Sequence, residues 1–124
     1  MIGKNLAMAI AFFAIFGMAL IDGGSILFAK LQLNDLAETA SIDGAAAYGK
    51  SHNAQAAFVE ARSTVATRDA NAVLDPKTFE IDPRTATVTI TLTKTADTLF
   101  LRYIGPLKKW ADLTARASGR PPTL

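Results

Sequence analysis

The stretch from Leu6 to Ile21 reads LAMAIAFFAIFGMALI and contains no charged residue and no strong helix breaker. Asp22 interrupts the run once, and the apolar character then resumes in ILFAKLQL. From Leu6 to Ala29 the stretch has about two dozen residues, and a helix that rises ~1.5 Å per residue needs about 20 to cross the hydrocarbon of a bilayer. The sequence therefore predicts a membrane-spanning helix, with residues 1–29 as the anchor.

A helix buried in a protein core is the alternative to a membrane span. The remaining part of the chain, about 95 residues, has too little surface to cover a helix that is apolar all round. We therefore expect the large apolar side chains of the anchor to face lipid. These side chains are Leu6, Ile10, Phe12, Phe13, Ile15, Phe16, Leu20 and Ile21.

The charges that flank the span predict its orientation. Lys4 precedes the apolar run and the first acid, Asp22, follows it, so the positive-inside tendency places the amino end in the cytoplasm and the rest of the chain outside. A cleaved secretory signal is the rival interpretation, because Gly17 and Ala19 offer small residues at the required spacing. The length of the apolar core and its continuation after Asp22 favour an uncleaved, single-pass anchor.

Asp22 needs a physical explanation, because an acid near the middle of a membrane helix costs roughly 2.5–3.5 kcal/mol on insertion scales. It could pair with a positive group of a neighbouring subunit or assembly protein inside the membrane. It could instead lie at the outer interface, a position that its distance of about 16 residues from Leu6 permits. The sequence leaves both explanations open.

A second helical pattern follows the apolar run. Small and apolar residues recur at three- and four-residue steps from Ile26 onward, which predicts one long helix that projects from the membrane, with a bend where Gly23, Gly24 and Ser25 occur. We expect one face of this helix to serve assembly by packing against the helix of a partner, and the rival interpretation is that it packs only against the chain's own second helix. That face comprises Leu33, Leu36, Ala40 and Gly44.

The second helix is predicted to begin near Ser51 or Asn53, since either residue can cap a helix amino terminus. It should end before Pro76. Its apolar stripe is expected at Ala54, Phe58, Ala61 and Val65.

The hydrophobic period changes to two near residue 78. Val88, Ile90 and Leu92 alternate with threonines, as in a half-buried strand, and the segment from Ala111 to Ser118 alternates again. The turn at residues 82–85 predicts a hairpin, and Asp97 is expected to cap a short helical turn. The fold class is therefore α+β, in which residues 30–118 form a domain with a three-stranded antiparallel sheet, covered by the second helix or the end of the long one. Residues 119–124 should be an irregular tail.

The composition favours no catalytic chemistry. There is no cysteine, His52 is the single histidine, and no serine lies in a nucleophile-elbow context. Asp69 and Glu80 have the outer spacing of a calcium loop, but Leu74 occupies the position where such a loop needs glycine. We therefore expect no enzyme activity, cofactor, metal or small-molecule substrate.

The charge distribution suggests an alternative, non-enzymatic function. From Lys94 onward there are six Lys and Arg residues against Asp97 and Asp112. Such a basic carboxyl third could make the chain a membrane-anchored binding module for an anionic partner, although charges of this kind more often form only a solvated surface. Nucleic acid is not an expected partner, because neither a recognition helix nor a base-stacking motif accompanies the charges.

The order of these segments resembles the TadE/TadG-like envelope proteins of tight-adherence (Flp-type) pilus systems. The resemblance covers most of the chain but consists of loose, mainly hydrophobic segments. A cut after Gly3 would leave Met8 in the fifth position, where type IV pilins carry glutamate. The lack of an acid at this position makes the chain more similar to the TadG-like branch than to the pilin-like TadE branch. The matching segments are Asp22-Gly23, Leu31 to Asp35, Ala45 to Ala47, Val88 to Thr93 and Leu99 to Arg102.

The resemblance implies a small component of pilus assembly or a minor pilus-associated subunit. It implies residence in the cytoplasmic membrane of a bacterium, with incorporation into an extracellular filament left open. The partners that it implies are other pilus-assembly or pilin-like proteins, including a second copy of this chain.

Overall fold

The computed structural model describes residues 2–96, 103, 109 and 111–122, and its fold is α+β, as predicted. The predicted helical turn after Asp97 lies, apart from Tyr103, outside these residues. Two helices are followed by the strands of one antiparallel sheet. In chain order the elements are α1 (Ile2–Ser51), α2 (Ala54–Arg68), β1 (Val73–Leu74), β2 (Glu80–Asp82), β3 (Thr87–Thr95) and β4 (Asp112–Gly119).

The first helix has 50 residues and is about 75 Å long at 1.5 Å per residue. It continues through Gly23 and Gly24 without interruption, so the prediction of one long helix is confirmed. The predicted apolar face of its carboxyl half is also confirmed. Its members Ala29, Leu33, Leu36, Ala37 and Ala40 are all buried in the core.

A short turn reverses the chain between the two helices. His52 adopts a left-handed conformation with φ of 52°, and its backbone N–H donates to the carbonyl of Tyr48 at 2.7 Å. Asn53 then caps α2, because its Oδ1 accepts hydrogen bonds from the backbone N–H groups of Gln55 and Ala56. The predicted cap is therefore confirmed at Asn53.

The apolar stripe of α2 differs from the prediction at one position. Ala61 and Val65 are buried and Phe58 is half-buried, as expected, but Ala54 is exposed and Ala57 is buried instead. Ala57 and Ala61 are the residues of α2 that lie against Gly44 of α1, which explains why Ala57 rather than Ala54 is buried.

The sheet has four strands rather than the predicted three. β3 is central: it pairs with β4 from Val88 to Thr95, and on its other side with β2 and then with β1, always antiparallel. The predicted hairpin between β2 and β3 is confirmed. β1 was not predicted, because two residues are too few to display an alternating pattern.

The alternating residues Val88, Ile90 and Leu92 are fully buried, and Leu113 and Ala115 of β4 are also buried. The long helix provides most of the cover: α1 packs against both β3 and β4, whereas α2 approaches the sheet mainly at β1. Of the two covers expected from the sequence, the end of the long helix is therefore the main one. All of these residues belong to one continuous core.

Gly44 allows α2 to lie close to α1. A Cβ atom built on Gly44 would lie 3.2 Å from the carbonyl oxygen of Ala57, 3.3 Å from Cβ of Ala61 and 3.4 Å from Val88. The face made by Leu33, Leu36, Ala40 and Gly44 is thus buried within the chain. The expectation that an assembly partner's helix occupies this face is wrong, because the chain's own helix and sheet already cover it.

Gly119 allows the end of β4 to lie close to α1. A Cβ atom at this position would lie 2.6 Å from both the backbone nitrogen of Ile42 and Oγ of Ser41. Gly119 is the last residue of β4, so the predicted irregular tail starts one residue too early, and only Arg120 to Pro122 lack regular structure among its described residues.

The register of the sheet predicts opposite outcomes for two substitutions in β3. Ile90→Asp should destabilise the domain by several kcal/mol, out of a total of about 5–15 kcal/mol, because it buries an unpaired charge. Thr93→Asp, on the exposed face, should unfold within a few degrees of the wild type. The resistance of the full chain to protease, measured in nonionic detergent as the temperature is raised, reports the stability of both variants. Equal resistance of the two variants would contradict the register.

The contact at Gly119 predicts that Gly119→Ala lowers the free energy of unfolding by about 1–3 kcal/mol, since the added methyl group must displace backbone atoms of α1. Gly49→Ala is the matched control, because its nearest neighbour would be Pro121 at 3.4 Å, an ordinary contact. Urea unfolding of both variants in the same detergent checks the difference. A Gly119→Ala variant as stable as Gly49→Ala would show that β4 does not pack this closely on α1.

Candidate functional site: the exposed apolar half of the long helix

The amino half of α1 is a long apolar surface that the domain leaves uncovered. All of the predicted anchor side chains are exposed, as are Met8 and Met18. Within the described residues, α1 is the one helix long and apolar enough to cross a membrane, and almost none of its most apolar window is buried. The alternative of a core helix is therefore wrong for this segment. The exposed anchor side chains are Leu6, Ile10, Phe12, Phe13, Ile15, Phe16, Leu20 and Ile21.

The helix changes character at Asp22, where burial against the domain begins. Asp22, Ala29 and Leu33 lie at seven- and four-residue steps and so share one face, and all three are buried. Residues on the opposite face stay exposed: Leu27 and Leu31 remain 61% and 59% accessible. The helix is therefore apolar and exposed on all sides at its amino end, whereas after Asp22 it has one face buried against the domain and one exposed face.

Asp22 itself is only 2% exposed, although its neighbours Ile21 and Gly23 are open to solvent. It interacts within its own chain, so a positive group on a neighbouring subunit is not needed to explain the buried acid. Because its own chain buries Asp22, the residue fits a position at the end of the span. This is the second of the two explanations drawn from the sequence.

The sheet has a defined end that lies nearest the anchor. The ammonium group of Lys30, on α1, donates a hydrogen bond to the backbone carbonyl of Thr114 in β4. At the other end of the sheet Gly119 contacts Ser41. The strands consequently run alongside α1, and the end where Thr95 pairs with Asp112 is the one closest to the apolar half.

One ion pair joins α2 to the sheet. Nζ of Lys94 lies 2.6 Å from Oδ2 of Asp69, and the two side chains are only 16% and 23% exposed. The hydrogen bond from Lys94 lowers the pKa of Asp69, partial burial opposes the shift, and a hydrogen bond from the backbone N–H of Asn71 lowers the pKa further. The pair is structural, because it ties the carboxyl end of α2 to β3.

The remaining polar groups of the described residues form no reactive cluster. Arg116 contacts Glu80 at 3.4 Å across the exposed face of the sheet, and Arg84 lies 3.8 Å from Asp82 beside a turn. His52 stacks edge-on against Tyr48 in the turn between the helices. Across residues 2–96 and 111–122 no group of three His, Cys, Asp or Glu residues could hold a metal ion.

A shallow apolar cleft of about 490 Å³ lies between α2 and β1. Phe58, Val65 and Leu74 contribute to its walls, and Arg62 is the one charged residue that lines it. A binding cleft for a small molecule normally combines an apolar wall with several convergent polar groups. This cleft lacks that combination, so the exposed half of α1 is the stronger candidate for a functional surface.

The Asp69–Lys94 pair predicts a pH-dependent contribution to stability. Because the folded-state pKa of Asp69 lies below its unfolded value near 4, the contribution is fully present above pH 4 and is lost as the pH falls through the folded-state pKa. Asp69→Asn should cost about 1 kcal/mol at pH 7 and measurably less at pH 3. Urea unfolding at both pH values measures this, with Arg84→Gln in the exposed pair as the control. A cost for Asp69→Asn that is the same at both pH values would contradict the assignment.

Comparison with known proteins gives no match: no family model, no curated protein and no solved structure matches this chain. The likeness to pilus-system envelope proteins therefore stays a prediction from the sequence segments that carry it.

Proposed function

We propose that this chain is a non-enzymatic, single-pass membrane component of a Tad/Flp-type pilus system, similar to the TadE/TadG-like proteins. The long helix spans the cytoplasmic membrane of a bacterium, with its amino end in the cytoplasm and the small domain outside the cytoplasm. The observation that carries the proposal is α1, whose exposed apolar half is joined without a break to the helix that forms the core of the domain.

Exposed apolar residues beyond the span support an uncleaved anchor. A signal-type cut after Ala19 would release a domain that still carries Leu20, Leu27 and Leu31 on one uncovered helix face. Soluble monomers rarely expose contiguous apolar surface of this kind. Retention of the amino end keeps the same surface at the membrane, where it is stable.

A structural or assembly role fits the form of the chain better than a catalytic one. A helix of about 75 Å links the membrane to a small domain whose described residues contain no reactive cluster. The inner face of α1 is occupied by its own domain, so contacts with other pilus-assembly proteins, or with a second copy, fall on the anchor half or on the outer face of the sheet.

The alternative function, capture of an anionic partner by a basic surface, has less support. Two of the six basic residues of the carboxyl third, Lys94 and Arg116, are paired with Asp69 and Glu80. Pairing reduces the positive charge that is free to attract an anion. The pilus-system proposal is therefore preferred.

Deletion of the gene in its own bacterium tests the proposal. We expect loss of surface pili, counted by electron microscopy, and of adherence. Wild-type chain supplied in trans should restore both, and so should Gly49→Ala, whose added methyl group makes only an ordinary contact with Pro121. Ile90→Asp, which is expected to destabilise the domain by several kcal/mol, should restore neither.

Two measurements on the complemented cells separate a pilus role from membrane anchoring alone. Fractionation and intact mass should place an uncleaved chain in the membrane. Normal piliation without the gene would contradict the pilus role, and a mass that corresponds to a cut after Ala19 would contradict the anchor.

A further inference from the structure

The exposed apolar surface of α1 ends at different positions along the helix axis on its two faces. On the face that carries the domain, the exposed apolar surface ends at Asp22, and the apolar residues beyond it are buried in the core. On the opposite face it continues through Leu27, Phe28 and Leu31, which are 61%, 63% and 59% exposed, as open as the anchor residues themselves. Polar residues take over on that face at Gln32, Asn34 and Asp35.

The anchor is too short if it ends at Asp22. The uncharged run from Leu6 to Ile21 is about 24 Å long at 1.5 Å per residue, whereas the hydrocarbon of a bilayer is about 30 Å thick. From Leu6 to Leu31 the helix is about 39 Å long, and a tilt near 40° reduces the span of that length to about 30 Å. A strong tilt therefore matches the longer stretch to a bilayer.

The same tilt accounts for much of the difference between the two positions. Asp22 and Leu31 are separated by about 13 Å along the axis. On a helix about 10 Å wide, a 40° tilt shifts the bilayer boundary between the two faces by about 8 Å along the helix axis, which is more than half of that separation.

We propose that α1 leaves the bilayer strongly tilted, with Leu27, Phe28 and Leu31 immersed in phospholipid and the domain on the side of the helix that faces away from the membrane. The inference rests on the proposed membrane anchoring and adds the partner of this face, which is lipid. Burial of Asp22 by its own chain fits this geometry, because the cover keeps the carboxylate out of contact with acyl chains.

The absence of cysteine allows a direct test with single-cysteine variants of the full chain. Leu20→Cys, Leu31→Cys and Asp35→Cys each replace an exposed residue, so none disturbs the core. Each variant is labelled with an environment-sensitive fluorophore and reconstituted into phosphatidylcholine–phosphatidylglycerol vesicles. Brominated phospholipid then reports contact with lipid, and iodide reports contact with water.

We expect brominated lipid to quench the label at position 31 at least about half as strongly as the label at position 20, which lies within the span. The label at position 35, one turn further on the same face, should instead respond to iodide. Dilution of the protein into about tenfold more lipid should leave all three responses unchanged, because the stripe contacts lipid rather than another chain.

Three results would overturn the inference. A label at position 31 that responds to iodide as strongly as position 35 would indicate an upright helix with the stripe in water. A label that resists both quenchers, or that changes on dilution, would indicate a protein partner on the stripe. In both cases quenching at position 20 would leave the anchoring intact, whereas a label at position 20 that ignores brominated lipid would overturn the anchoring as well.

Discussion

The structure depends on one constraint: a single helix must satisfy two different surroundings along its length. From Leu6 to Ile21 every face of α1 is apolar and exposed, and only lipid or another apolar surface can cover it. From Asp22 onward one face becomes the floor of the domain core. The helix therefore determines the position and orientation of the domain, because no flexible linker separates the apolar half of α1 from the domain.

Small residues allow this helix to serve as a core element. A domain of fewer than 100 residues buries little apolar area, so its layers must lie close together to form enough contacts. Gly44 brings the backbone of α2 against α1, and Gly119 brings the end of β4 to within contact of Ser41 and Ile42. The core is accordingly rich in alanine, with leucine and valine confined mainly to the strands and to the middle of α1.

Patterns with a clear period could be predicted from the sequence, whereas features that depend on a specific contact could not. The apolar run, the face from Ala29 to Gly44, the cap at Asn53 and the alternation in β3 all follow from local spacing. The two-residue strand β1 has no period to detect. The Asp69–Lys94 pair joins residues 25 positions apart, and the role of Gly119 depends on which part of α1 it meets.

The misjudged face of α1 shows why composition alone did not identify the partner of a helix. A stripe of Leu33, Leu36, Ala40 and Gly44 has the same appearance whether a second subunit or the chain's own fold covers it. Once α2 and the sheet occupy that stripe, the apolar residues left uncovered lie on the opposite face and in the anchor. Association inside the membrane must then use surfaces that compete with lipid, where helices gain little from the hydrophobic effect and depend on close packing. For the proposed assembly role, the surfaces left for a partner are the membrane half of α1 and the outer face of the sheet.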